Sequence, residues 1–213
     1  MKVRIIPVTP LMQNCSLLVC ERSQRAALVD PGGDPERILA AVGESGAEVE
    51  KILVTHGHLD HVGAVADLAQ RLDVPVEGPQ GEDRFWIEGV SEQARMFGFP
   101  PAHSFEPERW LEDGDAVSFG ETTLAVRHCP GHTPGHVIFF DADSRVAIVG
   151  DVLFQGSIGR TDLPRGDFES LVRCIRERLF PLGDDVTFVP GHGGTATLGQ
   201  ERRMNPFVGD FAV

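Results

Sequence analysis

This sequence predicts a layered α+β domain, and three observations lead there. Short β-prone runs bounded by turn residues outnumber the helical segments. Helices fall between strands without the regular βαβ alternation of a doubly wound sheet. The apolar share, 41% of 213 residues, is ordinary for a globular chain and is interrupted by no low-complexity tract. A chain of this length buries roughly 70% of its unfolded surface, so it needs no disulfide staples. A single domain over residues 1–213 is expected, with an insertion at about 78–113.

Residues 2–8, 15–20 and 25–30 read as strands. Asp30-Pro31-Gly32-Gly33-Asp34-Pro35 is a loop, after which Asp34 caps a helix with Pro35 in its first position and Ile38, Leu39 and Val42 on one face. Ile52-Leu53-Val54 is a short buried strand ending at Thr55. Val62, Val65, Leu68, Ala69 and Leu72 then recur at helical spacing, giving a helix of about three turns. Further strands are expected at 115–119, 122–128, 136–141, 146–150 and 186–189, and a helix at 167–180, where Phe168, Leu171, Val172, Ile175 and Leu179 share a face. The 78–113 stretch mixes Gly, Pro and Glu with Phe85, Trp86, Ile87, Met96, Phe97, Phe99 and Trp110. It reads as an excursion containing a helix, either packed on the surface or covering a site.

Charge and cysteine usage narrow the function classes. The formal net charge is −13, which repels phosphate backbones and anionic membranes, so neither nucleic acid nor a membrane is an expected partner. Cys15, Cys20, Cys129 and Cys174 form no CxxC pair and are expected to be buried, reduced thiols. Pro7, Thr9, Pro10, Gln13 and Asn14 interrupt any apolar stretch of a signal peptide, and no apolar run reaches the ~18 residues of a membrane span. A cytoplasmic location is expected.

The sharpest local signal is Thr55-His56-Gly57-His58-Leu59-Asp60-His61, placed where a buried strand gives way to a helix. Borderline divalent metals accept both imidazole and carboxylate, and a strand-to-helix turn splays such side chains around one point. The rival reading is a solvated loop with Asp60 as the helix N-cap. Three further segments put ligand-type residues at the end of an apolar strand: Cys129-Pro130-Gly131-His132-Thr133-Pro134-Gly135-His136, Val149-Gly150-Asp151 and Val189-Pro190-Gly191-His192-Gly193. Each is weak alone, but the ordered set is specific.

In order and sequence these motifs resemble the metallo-β-lactamase superfamily, and within it the short, single-domain bacterial type II glyoxalases (hydroxyacylglutathione hydrolases). The resemblance runs from Val3 to about Phe207 and includes Gln13-Asn14-Cys15, Val29-Asp30-Pro31-Gly32-Gly33, Gly159-Arg160-Thr161-Asp162 and Asn205-Pro206-Phe207. It implies a four-layer αββα sandwich with metals at one edge. It further implies that His56, His58 and His132 hold a first divalent ion, that Asp60, His61 and His192 hold a second, and that Asp151 bridges them. Zinc is the expected metal, with iron and manganese as the other candidates. His136 is expected to steady a ligand or loop, His128 to be structural, and His103 has no assigned task.

The implied reaction is hydrolysis of a small glutathione-derived thioester. A water acidified by the metals would attack the carbonyl, with Asp60 and Asp151 as the catalytic carboxylates. Arg160, with Arg165 behind it, is the candidate grip on a substrate carboxylate. The chain departs from the longer family members in lacking tyrosine and in ending 21 residues after His192, where they carry a helical domain with glutathione contacts. The alternatives are a mononuclear-iron glutathione persulfide dioxygenase of the same fold and a metal-binding, non-catalytic module.

Overall fold

Two twisted sheets face each other and helices cover both outer faces, giving the expected αββα sandwich. The computed structural model describes residues 1–211. The first sheet runs β1 (Lys2–Val8), β2 (Gln13–Cys20), β3 (Arg25–Val29), β4 (Glu48–Leu53) and β5 (Val76–Glu77) in that spatial order. Its first three strands are antiparallel, while β4 and β5 join β3 in parallel. The second sheet contains β6 (Ala116–Phe119), β7 (Thr122–His128), β8 (Val137–Asp141) and β9 (Val146–Gly150). A two-stranded hairpin of β10 (Leu153–Phe154) and β11 (Ser157–Ile158) follows, and β12 (Thr187–Pro190) and β13 (Ala196–Thr197) complete the second sheet in the order β13-β12-β9-β8-β7-β6. Only β9 and β12 pair in parallel there.

Side-chain alternation explains the layering. Successive residues of a strand point to opposite faces. In β2, Cys15, Leu17 and Val19 face the outer helices, while Leu18 and Cys20 face the opposite sheet. In β8, Val137 and Phe139 enter the space between the sheets, and Ile138 and Phe140 face outward to the other helical layer. Strands covered on both faces read as unbroken apolar runs, as Val137-Ile138-Phe139-Phe140 does. Phe119 and Phe139, fully buried between the sheets, each contribute roughly 1.5–3 kcal/mol of transfer free energy.

The first helical layer comprises α1 (Pro35–Ser45), α2 (Leu59–Val62) and α3 (Val65–Leu72), with α4 (Arg84–Glu88) and α5 (Val90–Phe97) from the 78–113 segment. The second comprises α6 (Phe168–Cys174) and α7 (Leu198–Met204). The helix expected after Thr55 is divided. Its first turn, α2, stops at Gly63 because Gly63 packs against the Gly32 carbonyl, where an added Cβ would stand 2.5 Å from that oxygen. The next amide, Ala64 N–H, leaves the helix to bond the Pro31 carbonyl at 3.0 Å. The N-cap position of α2 is His58, not Asp60.

Other departures from expectation have local causes. Asp34 occupies the N-cap position of α1 in a left-handed conformation, but its carboxylate accepts from Thr9 N–H at 2.9 Å instead of capping its own helix. The helix expected at 167–180 begins as α6, capped by the Asp167 carboxylate on Ser170 N–H, and then widens into a π turn at 175–179. Helix α7, with its Thr197–Gln200 capping box, and the short strands β5, β10, β11 and β13 were not among the expected elements. Cys129 and Cys174 are not free thiols. The end of β7 and the last turn of α6 bring their Cα atoms to 5.5 Å, and a disulfide joins them, while Cys15 and Cys20 stay reduced and buried. Among the described residues no helix is long and apolar enough to cross a membrane.

Candidate metal centre

Every residue of the predicted ligand set lies beyond the end of a strand, at one edge of the sandwich. Beyond β4 come His56 and His58, with Asp60 and His61 in the first turn of α2. His132 follows β7, Asp151 follows β9 and His192 follows β12. The structure brings all seven together. His56, His58 and His132 form one buried donor group, and Asp60, His61 and His192 form an adjacent, partly open one. His58 Nδ1 and His132 Nε2 stand 2.9 Å apart. Asp151 lies between the groups: its Oδ1 is 3.3 Å from His61 Nε2, and its Oδ2 is 3.6 Å from His132 Nε2 and 3.7 Å from His192 Nε2. Asp60 Oδ2 is 3.1 Å from His192 Nε2.

The outer nitrogen of each ring sets what the inner one can do, because a neutral imidazole donates from one nitrogen and accepts at the other. His132 Nδ1 meets the Arg160 carbonyl at 2.8 Å, and His192 Nδ1 meets the Leu11 carbonyl at 3.1 Å. A carbonyl only accepts, so both rings must donate there, which in the neutral imidazole leaves an Nε2 lone pair directed inward. His61 Nδ1 is held in the same way by Asp30 Oδ2 at 2.9 Å. For His56 the relay has one more member. Thr55 Oγ1 donates to Asp30 Oδ2 at 2.6 Å, so its oxygen accepts from His56 Nδ1–H at 3.0 Å. The inward atoms His56 Nε2, His61 Nε2 and Asp151 Oδ1 have no hydrogen-bond partner although they are buried. Buried polar atoms left unpaired cost about 1–3 kcal/mol each, which a divalent cation at their centre would repay. This donor set fits such ions.

Electrostatics agree with that fit. Burial, reinforced by the neighbouring imidazoles, holds His56 well below the ordinary histidine range and brings His58 down to about 3. Both are neutral and competent as ligands at pH 7. Burial would by itself raise Asp151, but His61, His132 and His192 around it hold its carboxyl well below the usual range, so it is ionised. His61 moves the other way. Burial opposes its charge, yet Asp151, Asp60 and Asp30 together raise it well above the ordinary value. Gly191 completes the cradle: a Cβ there would stand 2.1 Å from Asp151 Oδ1 and 2.6 Å from His61 Cε1.

Residues outside the predicted set hold the centre in shape. Asp30 also accepts Thr55 N–H at 2.7 Å, which ties the end of β3 to the histidine turn. Asp83 accepts Gly57 N–H at 2.8 Å, Thr133 Oγ1–H at 2.8 Å and Gly135 N–H at 2.6 Å, so it fastens the loop of His56 and His58 to the loop of His132. Burial pushes its carboxyl up to about 6 despite these three donors. Trp86 sets its ring edge-on to His58, with centroids 4.6 Å apart. Gln13 and Asn14 reach the His192 loop: Asn14 N–H and its side-chain amide bond the carbonyls of Gly191, Pro190 and Gly193. His136 Nε2 accepts Asp151 N–H at 3.1 Å, in keeping with a supporting task, and His128 is bound to the Pro134 carbonyl. Asp30 and Asn14 lay within motifs the sequence displayed and Trp86 within the apolar residues of the 78–113 excursion, whereas Asp83 carried no local signal.

The two arginines fare differently from expectation. Arg160 contributes its carbonyl to His132, while its guanidinium is exposed and forms a bidentate pair with Asp162 at 2.7 Å. Arg165 lies over the Phe85 ring, 4.4 Å from its centroid.

Comparison with known proteins agrees with this architecture. Residues 8–192 match the family model of the metallo-beta-lactamase superfamily. The chain is 46% identical over 209 residues to the hydroxyacylglutathione hydrolase GloC of Haemophilus influenzae, covering 98% of each. Among solved structures it resembles the BLEG-1 B3 metallo-beta-lactamase, with a TM-score of 0.90 at 33% identity over 97% of this chain and 99% of that one. It also resembles TTHA1623 in a di-iron-bound form, with a TM-score of 0.87 at 40% identity over 96% and 100%. With the αββα sandwich, the strand-end donors and these likenesses in agreement, the chain belongs to the metallo-β-lactamase superfamily.

Proposed function

We propose that this metallo-hydrolase is a thioester hydrolase acting on hydroxyacylglutathione, converting S-D-lactoylglutathione and water to D-lactate and glutathione, with two divalent ions per chain. The observation that carries the reading is the pair of adjacent donor groups sharing Asp151, joined to the near full-length likeness to GloC. In this reading His56, His58 and His132 hold one ion, Asp60, His61 and His192 hold the other, and Asp151 reaches both. When bound, such a pair acidifies water toward a pKa of ~7 and polarises a carbonyl. Zinc suits the imidazole-rich donors, and iron is the metal in the TTHA1623 structure.

The chain's own groups do the positioning. The carbonyls of Arg160 and Leu11 and the Asp30 carboxylate keep one imidazole proton on the outer side, so each inner nitrogen is free to bind once its ring is neutral. Asp60, only partly buried, orients a water from the open side of the centre. Trp86 and the 78–113 segment that carries it close the His58 side against bulk water. The leaving thiol has a pKa near about 8.5 and departs as thiolate without a proton from the protein.

The test is hydrolysis of S-D-lactoylglutathione with metal counted on the same sample. Rapid turnover with two metals per chain supports the reading. Oxygen uptake on glutathione persulfide with one iron, and no thioester hydrolysis, would move the site to the dioxygenase alternative.

A further inference from the structure

The segment between Gly159 and Asp167 is tied to the metal loop at two points. Arg160 O accepts from His132 Nδ1 at 2.8 Å, and Asp167 N–H donates to Gly131 O at 2.7 Å. Between these anchors the chain turns sharply. Leu163 O accepts Gly166 N–H, and Arg165 takes a φ of 64°, a conformation that costs a side-chain-bearing residue about 1 kcal/mol or more. That conformation sends the Arg165 side chain onto the face of Phe85. Phe85 adjoins Trp86, with ring centroids 5.0 Å apart, and Trp86 adjoins the proposed ligand His58 at 4.6 Å. A continuous row of side chains therefore leads from the metal centre to one guanidinium at its rim.

The charges around that rim single out Arg165. Arg160 is paired with Asp162, and Arg84 is paired with Glu106. Among the described residues Arg165 has no carboxylate within ion-pair distance. The chain as a whole carries a net charge of −13, so an unpaired, exposed guanidinium beside its reaction centre is a local exception. A guanidinium stacked on an aromatic face keeps its edge N–H groups free, and those N–H groups match the two oxygens of a carboxylate.

We propose that Arg165, held on Phe85, is the subsite for a carboxylate that the substrate carries in its thiol half, away from the scissile bond. Arg160 does not perform this task, because its guanidinium is already engaged. The proposal rests on the thioester reading and refines it: the chain recognises an anionic thiol carrier through its own 159–167 loop, with no additional domain.

Binding can be measured without turnover, using S-methylglutathione and its glycine-amide analogue in calorimetric titrations of the metal-loaded protein. The wild type should bind S-methylglutathione about tenfold or more tighter than Arg165→Gln does, as expected for one charge-assisted pair at a partly open site. The amide analogue should bind the wild type as weakly as S-methylglutathione binds Arg165→Gln. Arg84→Gln, at the paired rim guanidinium that takes no part in the centre, should stay within about twofold of the wild type, and thermal unfolding of both variants checks that they are folded. Equal binding of S-methylglutathione by the wild type and Arg165→Gln overturns the proposal, as does failure of the wild type to bind it at millimolar concentration. Hydrolysis of an uncharged lactoyl thioester of N-acetylcysteamine is followed in parallel. Its absence counts against the hydrolase reading and leaves the binding comparison intact.

Discussion

Replacing Asp83 with alanine should weaken the metal centre from a distance. Its carboxylate serves two buried amides and one buried hydroxyl, on Gly57, Gly135 and Thr133. An orphaned buried donor costs about 1–3 kcal/mol. The Thr133 hydroxyl can rotate toward another acceptor, so the two amides dominate, at about 2–6 kcal/mol together. One contribution runs the other way. Burial lifts the Asp83 carboxyl from 3.8 to about 6, so keeping it ionised at neutral pH costs roughly 3 kcal/mol, which the alanine variant recovers. The net change at pH 7 then runs from a gain of about 1 to a loss of about 3 kcal/mol, small beside the 5–15 kcal/mol typical of a domain. The sign of the pH dependence follows. A carboxyl whose folded pKa is raised binds more protons in the folded state, so its contribution is greatest below the unfolded value and declines as pH rises through about 6. Urea unfolding of wild type and Asp83→Ala at about pH 5 and about pH 7 should therefore show a larger difference at the lower pH. Metal analysis should show loss from the group of His56, His58 and His132, whose two loops Asp83 joins, before loss from the other. Identical midpoints, with full metal content in the variant, would refute the reasoning.

Four further outcomes are expected. Asp151→Ala should remove turnover and leave a folded chain, read by circular dichroism beside the thioester assay, because among the described residues Asp151 is the one carboxylate within 4 Å of donors from both groups. Gly191→Ala should lower metal occupancy with little change in the secondary-structure spectrum, since a Cβ 2.1 Å from Asp151 Oδ1 must displace that carboxylate. Metal affinity, measured by chelator competition, should rise with pH. His61 and His192 are both raised above the ordinary histidine value by the surrounding carboxylates, so each must release a proton on loading, with a slope of up to about tenfold per pH unit per proton. Cys129→Ser should lower the urea midpoint, because the Cys129–Cys174 bond closes a loop with a sequence separation of 45, for which chain entropy allows up to about 4 kcal/mol. Thiol titration of the denatured, unreduced protein should find two free thiols.

The sandwich was legible because strand alternation and strand covering leave a direct mark on sequence. Strands β1, β7 and β9 lie at the expected residues, since turn chemistry bounds them on both sides. The clustering of the seven candidate ligands was legible because chelating residue types are concentrated in short motifs at strand ends. What the sequence hid depended on contacts between distant segments. Periodicity carried one helix through Gly63, but the approach of the Gly32 carbonyl from another loop ends it there. Asp83 is an ordinary acidic residue in an irregular stretch until the fold sets it against residues 26 and 52 positions away. Cysteine spacing could not reveal that the end of β7 meets α6. Arg160 matched a family motif, but only the structure shows that its main chain, not its side chain, faces His132.

Each of the two proposed ligand groups draws on both halves of the sequence. His56 and His58 come from the N-terminal sheet and meet His132 from the C-terminal one; Asp60 and His61 meet His192 in the same way. In the proposed assignment, neither half supplies the whole ligand set of either ion, and each ion acts as a clasp across the seam between them. Demetallation would then loosen the join between the two sheets before it disturbs either one, and hydrogen exchange should quicken first at the facing strand ends. Metal supply would decide how firmly the two halves are held together, as well as whether the centre can react.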